Sequence, residues 1–519
     1  MRRLSTLLRF AVVVALLLAC SVPALRAVAA EPAAGATHGT TPSPKPESSE
    51  ASEITTHHSA QIDGRSIAYT ATAGAITLRD NDGTPTASMF YVAYTEDDAD
   101  LHRRPVTFFY NGGPGSSTIW LHMGAFAPKR VAVGNPGSIP AAPYKLVDNE
   151  YSLLDRSDLV FIDAPATGFS KLLGKSKGKD FFGIDQDAAA FGQFIERFLT
   201  KHSRWNSPKF LFGESYGTTR SCALAAWLET HDIDVNGVVL LSSALHFLQF
   251  AGGDGNDMPY ITYVPTEAAV AWYHHKLSNP PQDVATLVRS AEAFATGEYA
   301  TALAQGTSLN PATRDDIVRK LHSYIGISEN YLRRANLRIE PEEFEKQLLG
   351  ASYRVAGRYD ARFVGVDISP NAQAPDYDPS YTYISSAFLS TFNDYVRTDL
   401  GYHTEAVYQP LHDLGDWDLK RTGQQGNLAT GDVLPDLKLA MTTNPHLRVF
   451  SANGYYDMAT PFFATQYLID HMGLDPSLLG HVQYGFYSAG HMVYTNPSAL
   501  AAFKADLGRW YDAVLSEGG

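Results

Sequence analysis

Apolar residues fall in two patterns along the chain. Near its start, Ser66 to Ala71 and Ser88 to Tyr94 are short runs rich in β-branched and aromatic residues, separated by Asp-Gly and Asn-Asp-Gly turns, and they predict antiparallel strands. Further on, Val106 to Tyr110, Leu159 to Ile162, Lys209 to Phe212, Val238 to Leu241, Leu447 to Ser451 and Val482 to Tyr487 are compact apolar runs of buried-strand length. Helical stretches such as Ala188 to His202 and Thr218 to Thr230 lie between them. That alternation predicts an α/β architecture with a mainly parallel central sheet and crossover helices. From Leu245 to Leu434 the chain changes to helix-like periods and loops rich in Pro, Gly, Asp and Tyr. The expected organisation is therefore a first core part over 54–244, a lid or insertion over 245–434 and a second core part over 435–519. No internal repeat or sustained heptad is present.

The first 53 residues read differently. Arg2, Arg3 and Arg9 precede or open an apolar run from Phe10 to Ala19, and Ala27-Val28-Ala29 has the small residues of a signal-peptidase site, so residues 1–29 are expected to be a signal peptide. An alternative is lipoprotein processing at Leu17-Leu18-Ala19-Cys20, leaving a lipid anchor on Cys20. Residues 30–53 are mostly Pro, Ser, Thr, Ala and Glu, too poor in large apolar side chains to offset the entropy of ordering, and are expected to be a disordered linker. No other apolar run reaches the roughly 18 residues needed to span a bilayer.

Composition narrows the function classes. Hydrophobic residues make up 45% of the 519, aromatics 12% and charged residues 18%, which suits a folded chain and excludes a coiled coil. Lys and Arg total 41 against 55 Asp and Glu; the charge of −14 argues against nucleic acid as a partner, because such binders carry a basic excess. The two cysteines, Cys20 and Cys222, offer no disulfide framework. With no Asn-x-Ser/Thr sequon either, the expected location is a bacterial periplasm or the medium.

The sharpest chemical signal is Gly213-Glu214-Ser215-Tyr216-Gly217, placed between a predicted strand and a predicted helix. Gly-x-Ser-x-Gly in that setting is a nucleophile elbow, a sharp turn that projects the serine hydroxyl. A serine nucleophile needs a base, and the base needs an orienting carboxylate. Asp457 and His491 follow the last two predicted strands, in the order Ser, Asp, His. An oxyanion also needs N–H donors. Asn111-Gly112-Gly113-Pro114-Gly115 follows an early strand, and the N–H groups of Gly113 and Tyr216 are the candidates.

Asn111 to Ser117, Asp163-Ala164-Pro165 with Gly168-Phe169-Ser170, the Ser215 pentapeptide, Asp457 with Thr460-Pro461, and Gly490-His491-Met492 together resemble, in order, the blocks of the serine carboxypeptidase family. The resemblance runs from about Phe108 to Tyr511 and is weak in the insertion. It implies an α/β-hydrolase fold with a helical lid, release of C-terminal residues from peptides without a cofactor, and Ser215, Asp457 and His491 as triad. It also implies that Asn111, Gly112 and Glu214 hold the substrate's terminal carboxylate. A protonated carboxyl can donate a hydrogen bond to that group, whereas an ionised one repels it.

Three departures accompany the resemblance. A gapless count from Pro114 puts Ala125 where the family carries a second carboxylate-binding Glu, Phe109 replaces a Trp, and Thr218 replaces the elbow's usual following Gly. The pairs His57-His58 and His274-His275 lack metal-ligand spacing, and Asp254 to Asp257 lacks the alternation of a calcium loop, so no metal is expected. Tyr260, Tyr263, Trp272 and Tyr273 are expected to be lid core, with some of them as candidate subsite walls. The leading expectation is an exported serine carboxypeptidase acting on peptides with a free C-terminus. A serine esterase or acyltransferase of the same fold, and a catalytically silent peptide-binding envelope protein, are the alternatives.

Overall fold

A computed structural model describes residues 53–134, 136, 141–250, 252–422 and 429–516. The expectations for the signal peptide, for Cys20 and for the linker up to residue 52 lie outside the described residues.

Nine strands form the path of the main sheet: β1 (Ile54–Ile62), β2 (Arg65–Arg79), β3 (Pro85–Glu96), β4 (Val106–Tyr110), β5 (Asp158–Ile162), β6 (Lys209–Glu214), β7 (Gly237–Leu241), β8 (Arg448–Gly454) and β9 (Val482–Tyr487). Their spatial order is β1-β2-β3-β5-β4-β6-β7-β8-β9. β1 to β3 pair antiparallel, β3 meets β5 antiparallel, and every pairing from β5 to β9 is parallel. A short strand, Lys171–Leu172, adds to β3. β4, β5, β6 and β7 are buried at every position, as parallel strands covered on both faces must be. β2 alternates instead, which is why its sequence carries polar residues between the apolar ones.

The helices divide between the two faces. α1 (Ile184–Lys201) and α2 (Tyr216–Glu229) share one apolar core with Phe108, Leu211 and Leu240. Three helices of the long insertion, α3 (Met258–Tyr273), α4 (Val284–Phe294) and α5 (Pro311–Ile325), close over a core of their own that includes Tyr260 and Tyr263, with Trp272 and Tyr273 packed against it. Those four aromatics are packing material. The insertion is not helical throughout, because Arg354–Ala356 and Val364–Val366 form an antiparallel ribbon. Nor does it stay apart: α6 (Pro379–Thr398) puts Ile384, Phe388, Phe392 and Val396 into the same core as Ile119, Met123 and Phe161. α7 (Leu434–Thr443) returns the chain to β8, α8 (Phe462–His471) follows β8, and α9 (Pro497–Ser516) closes the fold, with Leu500, Phe503 and Leu507 in the α6 core. Among the described residues no helix is long and apolar enough to cross a membrane, and Cys222 is a buried free thiol.

Candidate active site

β6 ends at Glu214 and α2 begins at Tyr216, so Ser215 alone makes the turn, at φ 61° and ψ −129°. That backbone is costly for a residue with a Cβ and survives only when its surroundings hold it. They do so here: Ser215 N–H donates to Leu241 O at 3.0 Å, and Ser215 O accepts from Thr218 N–H and from the Thr218 hydroxyl, at 2.8 and 2.7 Å. Thr218, the departure at the helix start, thus braces the turn. Gly213 is required by contact, since a Cβ there would lie 2.1 Å from Gly217 O.

Asp457 follows β8 and His491 follows β9. Asp457 is fully buried; its Oδ1 accepts from the N–H groups of Ala459 and Thr460 at 2.8 and 2.9 Å, and its Oδ2 lies 2.8 Å from His491 Nδ1. The Thr460 hydroxyl donates to the same Oδ2 at 2.7 Å. With Nδ1 spent on Asp457, Nε2 is the nitrogen left to face the pocket. Burial opposes protonation of His491, but the charge and hydrogen bond of Asp457, helped by Glu214, outweigh it and raise the imidazole above its ordinary range.

The Gly-rich loop after β4 lies against the elbow. A Cβ on Gly112 would meet Tyr216 N at 2.3 Å, and Gly113 adopts φ +105°. Among the described residues neither Gly113 N–H nor Tyr216 N–H donates to a backbone carbonyl outside regular elements. Tyr216 opens α2, so the positive end of that helix lies at the elbow.

Asn111 Oδ1 accepts from Leu121 N–H at 3.0 Å, which turns its amide N–H groups the other way. Glu214 is 2% exposed. Burial pushes its carboxyl up to about 7; His491, Tyr494 and Asn111 pull against that shift while Asp457 adds to it. Glu214 Oε2 and the Tyr494 hydroxyl are buried without a hydrogen bond of good geometry, yet they lie close enough for each to shift the other, Tyr494 lowering the Glu214 carboxyl and Glu214 raising the Tyr494 hydroxyl. Ala125 is fully buried in the α6 core, and its carbonyl accepts from Asn149 Nδ2 at 2.7 Å. The residue beside Glu214 is Tyr494, which sequence reasoning missed; its one local signal was a place three residues after His491.

Ser215 and His491 line one cavity of about 40 Å³ with Asn111, Gly112, Gly113 and Glu214. Its other wall comes from the insertion: Arg358, Tyr359 and Tyr381, none of them foreseen. The strand-to-strand loop that carries Arg358 is tied to both late turns. Met458 N–H donates to Arg358 O at 3.1 Å and His491 N–H to Tyr359 O at 2.6 Å, while the Tyr359 ring stacks on the imidazole with centroids 5.1 Å apart.

Two buried networks support the pocket from behind. Arg220 on α2 pairs with Asp187 on α1 at 2.7 Å and donates to Asn111 O at 2.7 Å, fixing helix to loop. Asp163 accepts from Thr118 N–H and the Tyr408 hydroxyl, both at 2.9 Å, and so joins the early loop to the insertion; burial pushes its carboxyl up to about 6. Among the described residues no group of three or more His, Cys, Asp or Glu is arranged to hold a metal. His274 instead donates through Nε2 to Ala361 O at 2.6 Å.

The family described as Serine carboxypeptidase matches residues 69–481, a span holding Ser215 and Asp457 and ending before His491. A stretch is 27% identical over 146 residues to serine carboxypeptidase ctsa-3.2 of Caenorhabditis elegans, covering 27% of this chain and 26% of that protein. Another is 33% identical over 156 residues to the pheromone-processing carboxypeptidase KEX1 of Saccharomyces cerevisiae, covering 28% of this chain and 20% of that protein. The chain thus spans about a quarter or less of the length of the curated relatives it matches. The solved structure of Kex1Δp, a prohormone-processing carboxypeptidase from the same yeast, superposes with a TM-score of 0.52 at 16% identity, over 85% of this chain and 91% of that one. That likeness is one of fold, an α/β-hydrolase.

Proposed function

The chain belongs to the serine carboxypeptidase family, and on that premise we propose that it hydrolyses the last peptide bond of peptides with a free C-terminus through Ser215, His491 and Asp457. The observation that carries this reading is one pocket that holds the strained Ser215 and an imidazole already hydrogen-bonded to a buried carboxylate at 2.8 Å. His491 Nε2 takes the proton from Ser215 Oγ as that oxygen attacks the scissile carbonyl carbon. The carbonyl oxygen becomes an oxyanion held by the N–H groups of Gly113 and Tyr216. His491 then gives the proton to the leaving amine, the C–N bond breaks, and an acyl-enzyme remains. Water, deprotonated by the same imidazole, releases the acid and restores Ser215. Asp457 keeps the imidazole in the useful tautomer and stabilises its charged form.

Asn111, Gly112 and Glu214 hold the terminal carboxylate in this reading. Support comes from the buried, protonation-ready Glu214 and from the orientation of Asn111. Ala125, in place of a second carboxyl, is the one feature that favours ester cleavage or acyl transfer by the same triad. The basic and then apolar N-terminal sequence supports export to a periplasm or the medium.

The test compares an N-blocked dipeptide with a free C-terminus, its amide and its ester from about pH 4 to about pH 8, with Ser215→Ala as control. Preference for the free acid, lost in the variant, supports the carboxypeptidase. Ester cleavage indifferent to the terminus replaces it with the second reading.

A further inference from the structure

The catalytic pocket contains a cation that the triad chemistry does not use. Arg358 belongs to the insertion, lines the cavity together with Ser215, Glu214 and His491, and is half-buried. Its backbone is immobilised from three sides. Arg358 N–H and Tyr359 N–H donate to the Asp378 carboxylate at 3.0 and 3.2 Å, and Arg358 O accepts from Met458 N–H, next to Asp457.

Its guanidinium, by contrast, has no carboxylate within ion-pair distance and no hydrogen bond among the described residues. The Tyr359 ring lies beside it, with Arg358 Cζ 5.5 Å from the ring centroid. The charged and titratable groups facing it are Glu345 from the short helix Pro341–Gln347, Tyr263 from α3, Asp378 at the start of α6, and Tyr359 and His491. None of them neutralises it by contact. Asp378 spends its oxygens on backbone N–H groups and the Ser380 hydroxyl, and Glu345, buried with Oε1 unpaired, is held towards its neutral form by burial. An unpaired guanidinium in a pocket of this size is costly unless an anion completes it, and its planar fork suits a carboxylate above other anions of a peptide.

We propose that Arg358 is a receptor for a carboxylate of the peptide substrate, either the C-terminal one or one on an acidic side chain beside the scissile bond. This rests on the reading of the pocket as a peptide site. It gives the pocket a donor that stays charged at every working pH, in a chain that has Ala125 instead of a second carboxyl.

The test is binding rather than turnover. The full-length Ser215→Ala protein is titrated calorimetrically with an N-blocked Phe-Leu free acid and its amide, and with Phe-Glu amide against Phe-Gln amide, at about pH 8, where Glu214 is mostly ionised. Arg358→Met and Arg358→Lys are then added to the same background. Loss of one charge-assisted pair predicts that the free-acid preference, or the Glu preference, falls about 10- to 100-fold in the Met variant, with partial retention in the Lys variant. Collapse of the first ratio identifies the terminal carboxylate, and collapse of the second identifies a side chain. Both ratios unchanged in Arg358→Met, or acid and amide weakened equally, overturn the proposal. Thermal melts of the variants separate misfolding from lost recognition. Carboxylate-dependent binding without hydrolysis by the unsubstituted protein would sink the carboxypeptidase reading while leaving Arg358 its role.

Discussion

Replacing Glu214 with Gln removes one titration and keeps a hydrogen-bond donor of nearly the same shape. In the folded protein burial raises the Glu214 carboxyl from 4.5 to about 7. Below about 7 the proposed clamp is a neutral acid that donates to the substrate carboxylate; above it, the clamp is an anion facing an anion. The advantage of a free-acid dipeptide over its amide should therefore fall as pH rises through about 7, approaching tenfold per pH unit beyond it. In Glu214→Gln that inflection should vanish and the ratio should stay flat to about pH 8. A second readout has the same origin. Because the folded pKa lies above the unfolded one, the native state binds the extra proton between about 4.5 and about 7, so this group adds stability as pH falls through that window and loses it as pH rises. That rise from 4.5 to about 7 is worth roughly 3 kcal/mol. Denaturant titrations should show Glu214→Gln gaining on the unsubstituted protein by up to that amount between about pH 4 and about pH 8. A free-acid ratio that titrates near 7 in both proteins, or in neither, refutes the assignment of Glu214 as a proton-dependent clamp.

Three further outcomes follow from the same geometry. Ser215→Ala should abolish labelling by a fluorophosphonate and lower kcat by about 10⁴-fold or more; residual labelling elsewhere would mean another nucleophile. Gly112→Ala drives a Cβ to 2.3 Å from Tyr216 N and 2.8 Å from Glu214 O, so ester hydrolysis should lose about 100-fold or more through the displaced oxyanion donor, and an active Gly112→Ala would deny Tyr216 that role. Arg220→Met leaves Asp187, 1% exposed, without its partner and should cost about 3 to 5 kcal/mol in urea denaturation. Adding Asp187→Leu should recover much of that loss, and a single-variant cost under about 1 kcal/mol would show that the buried pair is not what ties α2 to α1.

The parts that could be read from the sequence are those whose physics is local. β4 to β7 are covered on both faces, so each is an unbroken apolar run, and a run of that kind followed by a helical period can be recognised without knowing its neighbours. Ser215 stood out because a φ of 61° at the turn and the crowding at Gly213 leave their mark within five residues. Asp457 was reachable because it follows β8, whose residues after Arg448 are all buried, and His491 because it follows β9 in the chain order Ser, Asp, His. The missed residues are missed for one reason: their positions are fixed by partners far away in the chain. α6 looks like any amphipathic helix of the insertion, and nothing in its period says that Phe388 and Phe392 will meet Ile119 and Phe161 rather than α3. The Gly357 to Arg362 loop has no period at all; what places it is Asp378, Met458 and His491, up to 133 residues on. The division has a consequence for the site. The proposed triad follows β6, β8 and β9, whose registers are locked by the sheet, whereas the Arg358 wall of the pocket is a loop held by a few hydrogen bonds to the turns bearing Asp457 and His491. On the proposed reading, changes in that loop are expected to alter which peptide is accepted while the strands keep Ser215, Asp457 and His491 in place, provided Met458 N–H and His491 N–H keep their acceptors.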